Sequence, residues 1–395
     1  MRTIRDLEIS GKRVLIRVDF NVPMDEAGNI TDDLRIVTVL PTVDYALQQG
    51  ARVILCSHMG RPKGQRVEKY SLAPVARYLC DHYGRGIPLA PDCVGVETEQ
   101  MVTALQDGNL LLLENLRFHA EEQANDPEFA RQLASLADVY INNAFAVSHR
   151  AHASVVGVPR YVAAKGAGFL LEKELDYFHK SVDNPVRPLV AIVGGAKVSS
   201  KLGALQNMLA KVDAMLIGGA MANTFLKSQG YSVGDSKVED DLLDEATTLL
   251  AQAREQGVKI YLPVDVIAAA SFAADAASKR VTIQDIPEHW MALDIGPASV
   301  ICFSEVLADA RTIIWNGPMG AFEMDAFAQG TRGVARAVAS AHALSITGGG
   351  DSNAAVKKFG EAENISYMST GGGAFLMLME GKELPGVVAL EDKEQ

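Results

Sequence analysis

The sequence predicts an α/β protein made of two doubly wound, mainly parallel domains with a helix connecting them. Three observations predict it. Short apolar runs of strand length alternate with amphipathic helical stretches almost throughout, the pattern of parallel sheets covered by helices. The 395 residues exceed the roughly 100–200 of a single domain. A helical stretch near the middle, ending in an Asn-Pro turn, stands where a connector belongs.

Taken in order, Ile36, Val39, Leu40, Val43 and Leu47 follow helical spacing and stop at Gly50, a residue suited to the position after a helix. The next run, ARVILCS from Ala51 to Ser57, is β-branched and apolar, as a strand buried on both faces requires. Asp126-Pro127 has the chemistry of a helix start, with Phe129, Leu133 and Leu136 on the apolar face. The connector helix is expected over about Phe169 to Ser181. The domains are therefore placed at 1–165 and 184–375, with the connector at 166–183. In AIVGGAKVSSKLG (Ala191 to Gly203) a strand breaks at two glycines and becomes a helix. Lys197 and Lys201 are then expected four residues apart on one face of its first turns. Cations are disfavoured at a helix N-terminus, and like charges so spaced cost a few tenths of a kcal/mol. An anionic partner would reverse that sign.

Bulk composition narrows the function. Hydrophobic content of 48% and charged content of 22% are ordinary for a globular protein. With 37 basic and 49 acidic side chains the net charge is -12, which excludes general nucleic-acid binding but allows a local anion site. Cys56, Cys80, Cys93 and Cys302 show no metal-ligand spacing and read as small hydrophobes of a reducing compartment. The start, MRTIRDLEIS, is charged, and no run approaches the ~18–20 apolar residues of a membrane span. A cytoplasmic protein without membrane partners is expected.

The strand ends carry the chemistry, because ligands of open parallel sheets bind outside the carboxyl ends of the strands. In the first half these ends read LIRVDFN (Leu15 to Asn21), CSHMGRPKG (Cys56 to Gly64), LLENLRF (Leu112 to Phe118) and YINNAFAVSHRAHAS (Tyr140 to Ser154). They collect Arg17, Arg61, Arg117 and Arg150 with His58, His149 and His152, and guanidinium groups bind phosphate and carboxylate bidentately. In the second half they read AIVGGAK, MLIGGAM, YLPVD, IIWNGP, SITGGGDS and MSTGGGA. Glycine turns there let a phosphate approach the backbone, and helix N-termini donate N–H groups. Asp351, directly after Gly348-Gly349-Gly350, has two readings: a carboxylate linked to phosphate through Mg²⁺, or a helix N-cap.

Standard nucleotide signatures are missing: there is no G-x-x-x-x-G-K-[ST], no G-x-G-x-x-G after the first strand and no HRD…DFG set. That argues against a P-loop protein and against a nicotinamide dehydrogenase. Two classes remain, a two-domain phosphotransferase and a two-lobed non-catalytic anion-binding protein. The paired lysines and Asp351 favour the enzyme.

RVDFNVP (Arg17 to Pro23), HMGRP (His58 to Pro62), GGAKVSSK (Gly194 to Lys201), WNGPMGAFE (Trp315 to Glu323), GGGDS (Gly348 to Ser352) and STGGGA (Ser369 to Ala374) closely resemble, in order, the motifs of the phosphoglycerate kinase family. The resemblance implies two Rossmann-like lobes joined by a hinge helix, with a last segment, 376–395, packing back on the first lobe. It implies reversible Mg-dependent phosphoryl transfer between 1,3-bisphosphoglycerate with ADP and 3-phosphoglycerate with ATP, in glycolysis and gluconeogenesis, by a monomer. By position, Asp19, Phe20, Asn21, Arg35, His58, Met59, Gly60, Arg61, Arg117 and Arg150 would bind the acid substrate. Gly195, Lys197, Lys201, Gly219, Asn316, Pro318, Glu323, Gly348, Gly349, Gly350, Asp351 and Ser352 would bind the nucleotide, with Asp351 on Mg²⁺ and Glu323 on the ribose. Arg35, Lys201, Gly349 and Gly372 would act on the moving phosphoryl group. Departures are mild: Met59 stands where Leu is usual, Ser352 where Thr is frequent, and Ala220 where a third Gly is common.

Overall fold

The computed structural model describes residues 1–391, which divide into two units, 1–175 with 383–391, and 176–382. In the first unit, β1 (Arg13–Arg17), β2 (Arg52–Cys56), β3 (Leu110–Leu112), β4 (Val139–Asn142) and β5 (Ala164–Ala167) form a parallel sheet in the order β3-β2-β1-β4-β5. β3 and β4 are buried along their whole length, and β1 and β2 from their second residues on, which explains why they read as continuous apolar runs. Ile16, Val53, Leu55 and Ile141 of the sheet pack with Ile36, Val43, Val75 and Leu79 from helices into one core. Each such fully buried side chain contributes roughly 1.5–3 kcal/mol. The strand order turns at β1, with β2 on one side and β4 on the other. That is the crevice where a doubly wound sheet receives its ligand.

The second unit repeats the scheme. β6 (Leu189–Val193), β7 (Ala214–Ile217) and β8 (Lys259–Tyr261) lie on one side; β12 (Thr312–Asn316), β13 (Leu344–Thr347) and β14 (Tyr367–Met368) lie on the other. The parallel order is β14-β13-β12-β6-β7-β8, so the switch point falls between β6 and β12. Between them in sequence, β9 (Asp265–Ala269), β10 (Ser278–Thr282) and β11 (Met291–Ile295) form a separate antiparallel sheet with β9 in the middle. This sheet has its own small core of Leu226, Val233, Val266, Ala268, Ile283 and Ile286. The β–α alternation of the chain contains no sign of it.

Several expected elements shift. The helix expected over 36–47 is two, Leu34–Val37 and Leu40–Gln48, because Pro41 sits in the first turn of the second and restarts it. The connector helix runs Phe169–Phe178 and loosens into a π-turn at His179–Asp183, short of a regular helix to Ser181. The division between units falls inside that helix, after Leu175, and not on either side of the connector. Of the expected returning segment, residues 376–382 belong to the second unit and 383–391 to the first; residues 392–395 lie outside the described residues. Gly386 N–H donates to Ser148 O (2.8 Å), and Asn142 Nδ2 donates to Gly386 O (3.3 Å).

The helix Pro127–Ser135 starts as its sequence requires: the Asp126 side chain accepts from the backbone N–H of Glu128 and Phe129. Asp126→Ala is expected to destabilise the protein by about 1 kcal/mol, measured by urea unfolding at unchanged activity. Among the described residues, no helix is long and apolar enough to cross a membrane.

Candidate functional site

In the first unit the carboxyl ends of β1, β2 and β4 hold a dense cationic group. Arg17, the last residue of β1, is fully buried. Its Nε donates to Ser154 Oγ (2.8 Å), and its Nη2 donates to His58 Nδ1 (3.2 Å); Nη1 donates to Val18 O. Asp19 follows on the loop. It accepts Arg35 Nη1 at 2.6 Å and the Asn21 N–H at 3.1 Å, with His58 Nδ1 at 3.7 Å. Asn21 Oδ1 accepts the N–H of Gly60 (2.8 Å), and Arg117 Nη1 donates to Gly60 O (2.7 Å). Gly60 needs its freedom: φ is +61°, and a Cβ there would lie 2.3 Å from the Tyr70 ring. Arg61 is exposed beside it. Arg150 Nε donates to His149 Nε2 at 3.2 Å.

Of the expected acid-site residues, Phe20 and Met59 have buried side chains and belong to the core. Only their backbone is available to a ligand, and both N–H groups are already used, on Ser57 Oγ and Asn115 Oδ1. Asn115 was not read from sequence. It caps the short turn Leu116–Phe118 and accepts the Met59 and Arg117 N–H groups, tying β2's loop to that turn. From sequence Arg17 reads only as one of the arginines of the rim.

The electrostatics of this rim are those of a site awaiting an anion. Burial, then Arg17, Arg117, Arg35 and His152, push the His58 pKa well below the usual histidine range. Burial, then Arg17, Arg117, Arg150 and His149, push His152 down to about 3. Burial, then Arg17 and Arg150, push even Arg117 down to about 10. The imidazoles are neutral at neutral pH because added positive charge has no room here.

The second unit gathers a glycine-lined site at the ends of β6, β7, β12 and β13. Gly194 N–H donates to Asn316 O (3.0 Å), Gly195 N–H to Pro318 O (3.0 Å) and Gly219 N–H to Met319 O (3.0 Å). Side chains could not fit in these contacts: a Cβ on Gly194 would lie 2.1 Å from Pro318 O. Asn316 Nδ2 donates to Gly348 O (2.8 Å), and Ser352 Oγ accepts the Gly317 N–H (2.6 Å) and donates to Gly348 O (3.0 Å). Two helices begin at the rim, Gly350–Lys358 behind Gly349 and Gly372–Met379 behind Gly371, and each offers unpaired N–H groups to an anion. The N-cap of the first is Gly349, at φ +101°, and Asp351 is its second residue, so the N-cap reading of Asp351 fails. A cavity of about 350 Å³ is lined by Gly195, Gly219, Pro318, Glu323 and Asp351 together with Ala220, Lys237, Phe272 and Leu293. The last three, and Asp235, were not found from sequence. Phe272 left one signal, an aromatic ring in a polar and alanine-rich stretch; it is 69% exposed.

The lysines lie differently from the sequence expectation. The helix begins at Leu202, so Lys201 is its N-cap and Lys197 precedes it in an irregular loop. They do not share a helical face. A Ser199-Ser200 turn intervenes, held by Ser200 Oγ on Lys197 O and by Glu239, which accepts both the N–H and Oγ of Ser199. Lys201 Nζ turns back into the glycine rim and donates to Gly194 O (2.6 Å) and Asn316 O (2.9 Å). Burial there lowers its pKa to about 8.

A family model for phosphoglycerate kinase matches residues 4–382. Among curated relatives, a phosphoglycerate kinase of Desulfotalea psychrophila is 68% identical over 391 residues, covering 99% of this chain and 100% of its own. One of Geobacter metallireducens is 56% identical over 393 residues, with 99% of each covered. The solved structure of phosphoglycerate kinase from Coxiella burnetii superposes with a TM-score of 0.90 at 44% identity over 98% of both chains.

Proposed function

The chain belongs to the phosphoglycerate kinase family, and from that premise we propose how its residues share the reversible transfer between 1,3-bisphosphoglycerate with ADP and 3-phosphoglycerate with ATP. Membership leaves the non-catalytic anion-binding reading without support.

One observation carries the division of labour: cations crowd the strand ends of the first unit, whereas glycine turns and two helix N-termini line those of the second. The first suits a small phosphorylated acid and the second a nucleotide polyphosphate. Arg61, Arg117 and Arg150 hold the non-reacting phosphate, with neutral His58 as a hydrogen-bonding neighbour. Asp19 and Asn21 orient the glycerate end, since the Asp19 carboxylate accepts from a substrate hydroxyl. Gly195, Gly219, Asn316 and Pro318 line the nucleotide site, Glu323 accepts from the ribose hydroxyls, and Lys197 meets the nucleotide phosphates.

Transfer is direct and in line. The acyl O–P bond breaks as a nucleotide β-phosphate oxygen bonds to the same phosphorus; the reverse step uses the ionised carboxylate of 3-phosphoglycerate. No general base is required, so the protein's contribution is position and positive field. Arg35 leaves Asp19 for the equatorial oxygens, Lys201 turns from its two carbonyls to the same group, and the N–H groups at Gly349 and Gly372 complete the field. Mg²⁺ fits Asp351, an exposed hard oxygen donor on the cavity wall, and when bound with the nucleotide phosphates it neutralises their charge. Hinge-bending closure unites the two substrates and excludes water. The protein acts as a cytoplasmic monomer.

The test is Mg-ATP consumption with and without 3-phosphoglycerate. Turnover is expected only with the acid; acid-independent turnover overturns the reading. Arg35→Ala is expected to lose about 10²-fold or more in kcat. Asp351→Asn is expected to raise the KM for Mg-ATP more than that for 3-phosphoglycerate, and equal effects on both would remove Asp351 from the metal.

A further inference from the structure

The cysteines follow no metal-binding spacing in sequence, yet the first unit brings Asp92, Cys93 and His119 to one point. Asp92 and Cys93 lie in the loop before the helix Val96–Ala104, and His119 closes the turn Leu116–Phe118. One potential ligand atom from each lies within 4.8 Å of the other two. We propose that this cluster is a binding site for a soft divalent cation of the Zn²⁺ type, distinct from the Mg²⁺ that travels with the nucleotide.

The donor set selects the ion. Imidazole nitrogen, thiolate sulfur and carboxylate oxygen all serve Zn²⁺, and a thiolate disfavours Mg²⁺ and Ca²⁺. Three protein ligands leave one position for water in a tetrahedral site. Access comes from one side: the His119 and Asp92 side chains are 27% and 40% exposed, whereas Cys93 is fully buried beneath them.

Protons hold the cluster together in the structure. His119 Nε2 and Asp92 Oδ1 share a hydrogen bond at 2.7 Å, and the Cys93 N–H donates to the same oxygen at 2.6 Å. A bound cation takes the cysteine as its thiolate, so the thiol proton leaves on binding. Thiolate and carboxylate together then balance the 2+ charge. Asp92 keeps Oδ1 on the Cys93 N–H and offers Oδ2. The surroundings already fix the ligands, as a metal site requires: Thr98 Oγ1 donates to Asp92 O (2.9 Å), and the His119 ring packs 5.2 Å from that of Phe129.

The experiment titrates full-length, EDTA-treated protein with Co²⁺ as a spectroscopic probe. One equivalent is expected to bring a thiolate-to-cobalt charge-transfer band with the visible bands of a four-coordinate ion. Zn²⁺ should displace it, and excess Mg²⁺ should not. Cys93→Ser should abolish the charge-transfer band, His119→Gln should weaken Co²⁺ binding by at least about tenfold, and Cys80→Ser and Cys302→Ser should leave both unchanged. No thiolate band at one equivalent, a band that survives Cys93→Ser, or unchanged affinity in His119→Gln would overturn the proposal. Should Cys93→Ser fail to fold, His119→Gln and Asp92→Asn, both at partly exposed positions, decide it by the same affinity measurement.

Discussion

Lys201→Met is expected to reduce kcat by about 10²–10³-fold while leaving stability within about 1–2 kcal/mol of the parent. Opposing terms produce the second half of that result. The lysine's pKa falls from 10.5 to about 8 on burial, so holding it charged costs the fold roughly 3 kcal/mol. Methionine relieves that cost but leaves the Gly194 carbonyl without its donor, at about 1–3 kcal/mol, while Asn316 O loses one donor and keeps the Gly194 N–H. The terms are of similar size, whereas nothing replaces the cation at the phosphoryl group. The pH dependence follows. Below about pH 8 the folded protein carries Lys201 charged, and above it the proton leaves. In the free parent enzyme kcat/KM for nucleotide should therefore fall as pH rises through 8. Between about 8 and 10.5 the unfolded chain binds the extra proton, so this group makes stability rise with pH across that window. Urea unfolding should show that rise in the parent and not in Lys201→Met.

Arg17→Met carries the largest expected loss of stability, about 3–5 kcal/mol. Arg17 Nε donates to Ser154 Oγ, and the same hydroxyl donates to Glu122 Oε1 at 2.6 Å, while the Ser154 N–H donates to Glu122 Oε2 at 2.9 Å. Both charged groups are fully buried. Removing the guanidinium strands the Glu122 carboxylate away from water. The double variant with Glu122→Gln should recover part of the loss, a coupling of about 0.5–3 kcal/mol. Strict additivity in urea unfolding would show that the two charges do not communicate. The Arg17→Met enzyme should also bind 3-phosphoglycerate more weakly, since His58 loses its donor.

Much of this was legible in the sequence, for identifiable reasons. Strands such as Arg52–Cys56 are almost wholly buried, so their apolar runs announce them. Asp126 and Pro127 act within three residues of one another, and local chemistry of that kind survives folding. The antiparallel sheet was not legible because β10 is largely exposed and β9 and its turn are rich in alanine, so neither shows the period-two alternation. The lysine turn is not legible in the sequence because what holds it, Glu239, lies forty residues away. Arg17 is visible as an arginine at a strand end, but its depth comes from neighbours in β2 and β4. The same holds for Asp92, Cys93 and His119, which are ordinary residues until the chain folds.

The bonds between Gly386 and the Ser148 and Asn142 region set an order of events during synthesis. The first unit is begun before the second but receives its last piece, residues 383–391, only after the second has been translated. Domains emerging from the ribosome otherwise close in turn, N-terminal first. Here the nascent first unit waits, with Asn142 and Ser148 still to be covered, until residues 383–391 are translated. A message cut short just before residue 383 would yield a complete second unit and an unfinished first one.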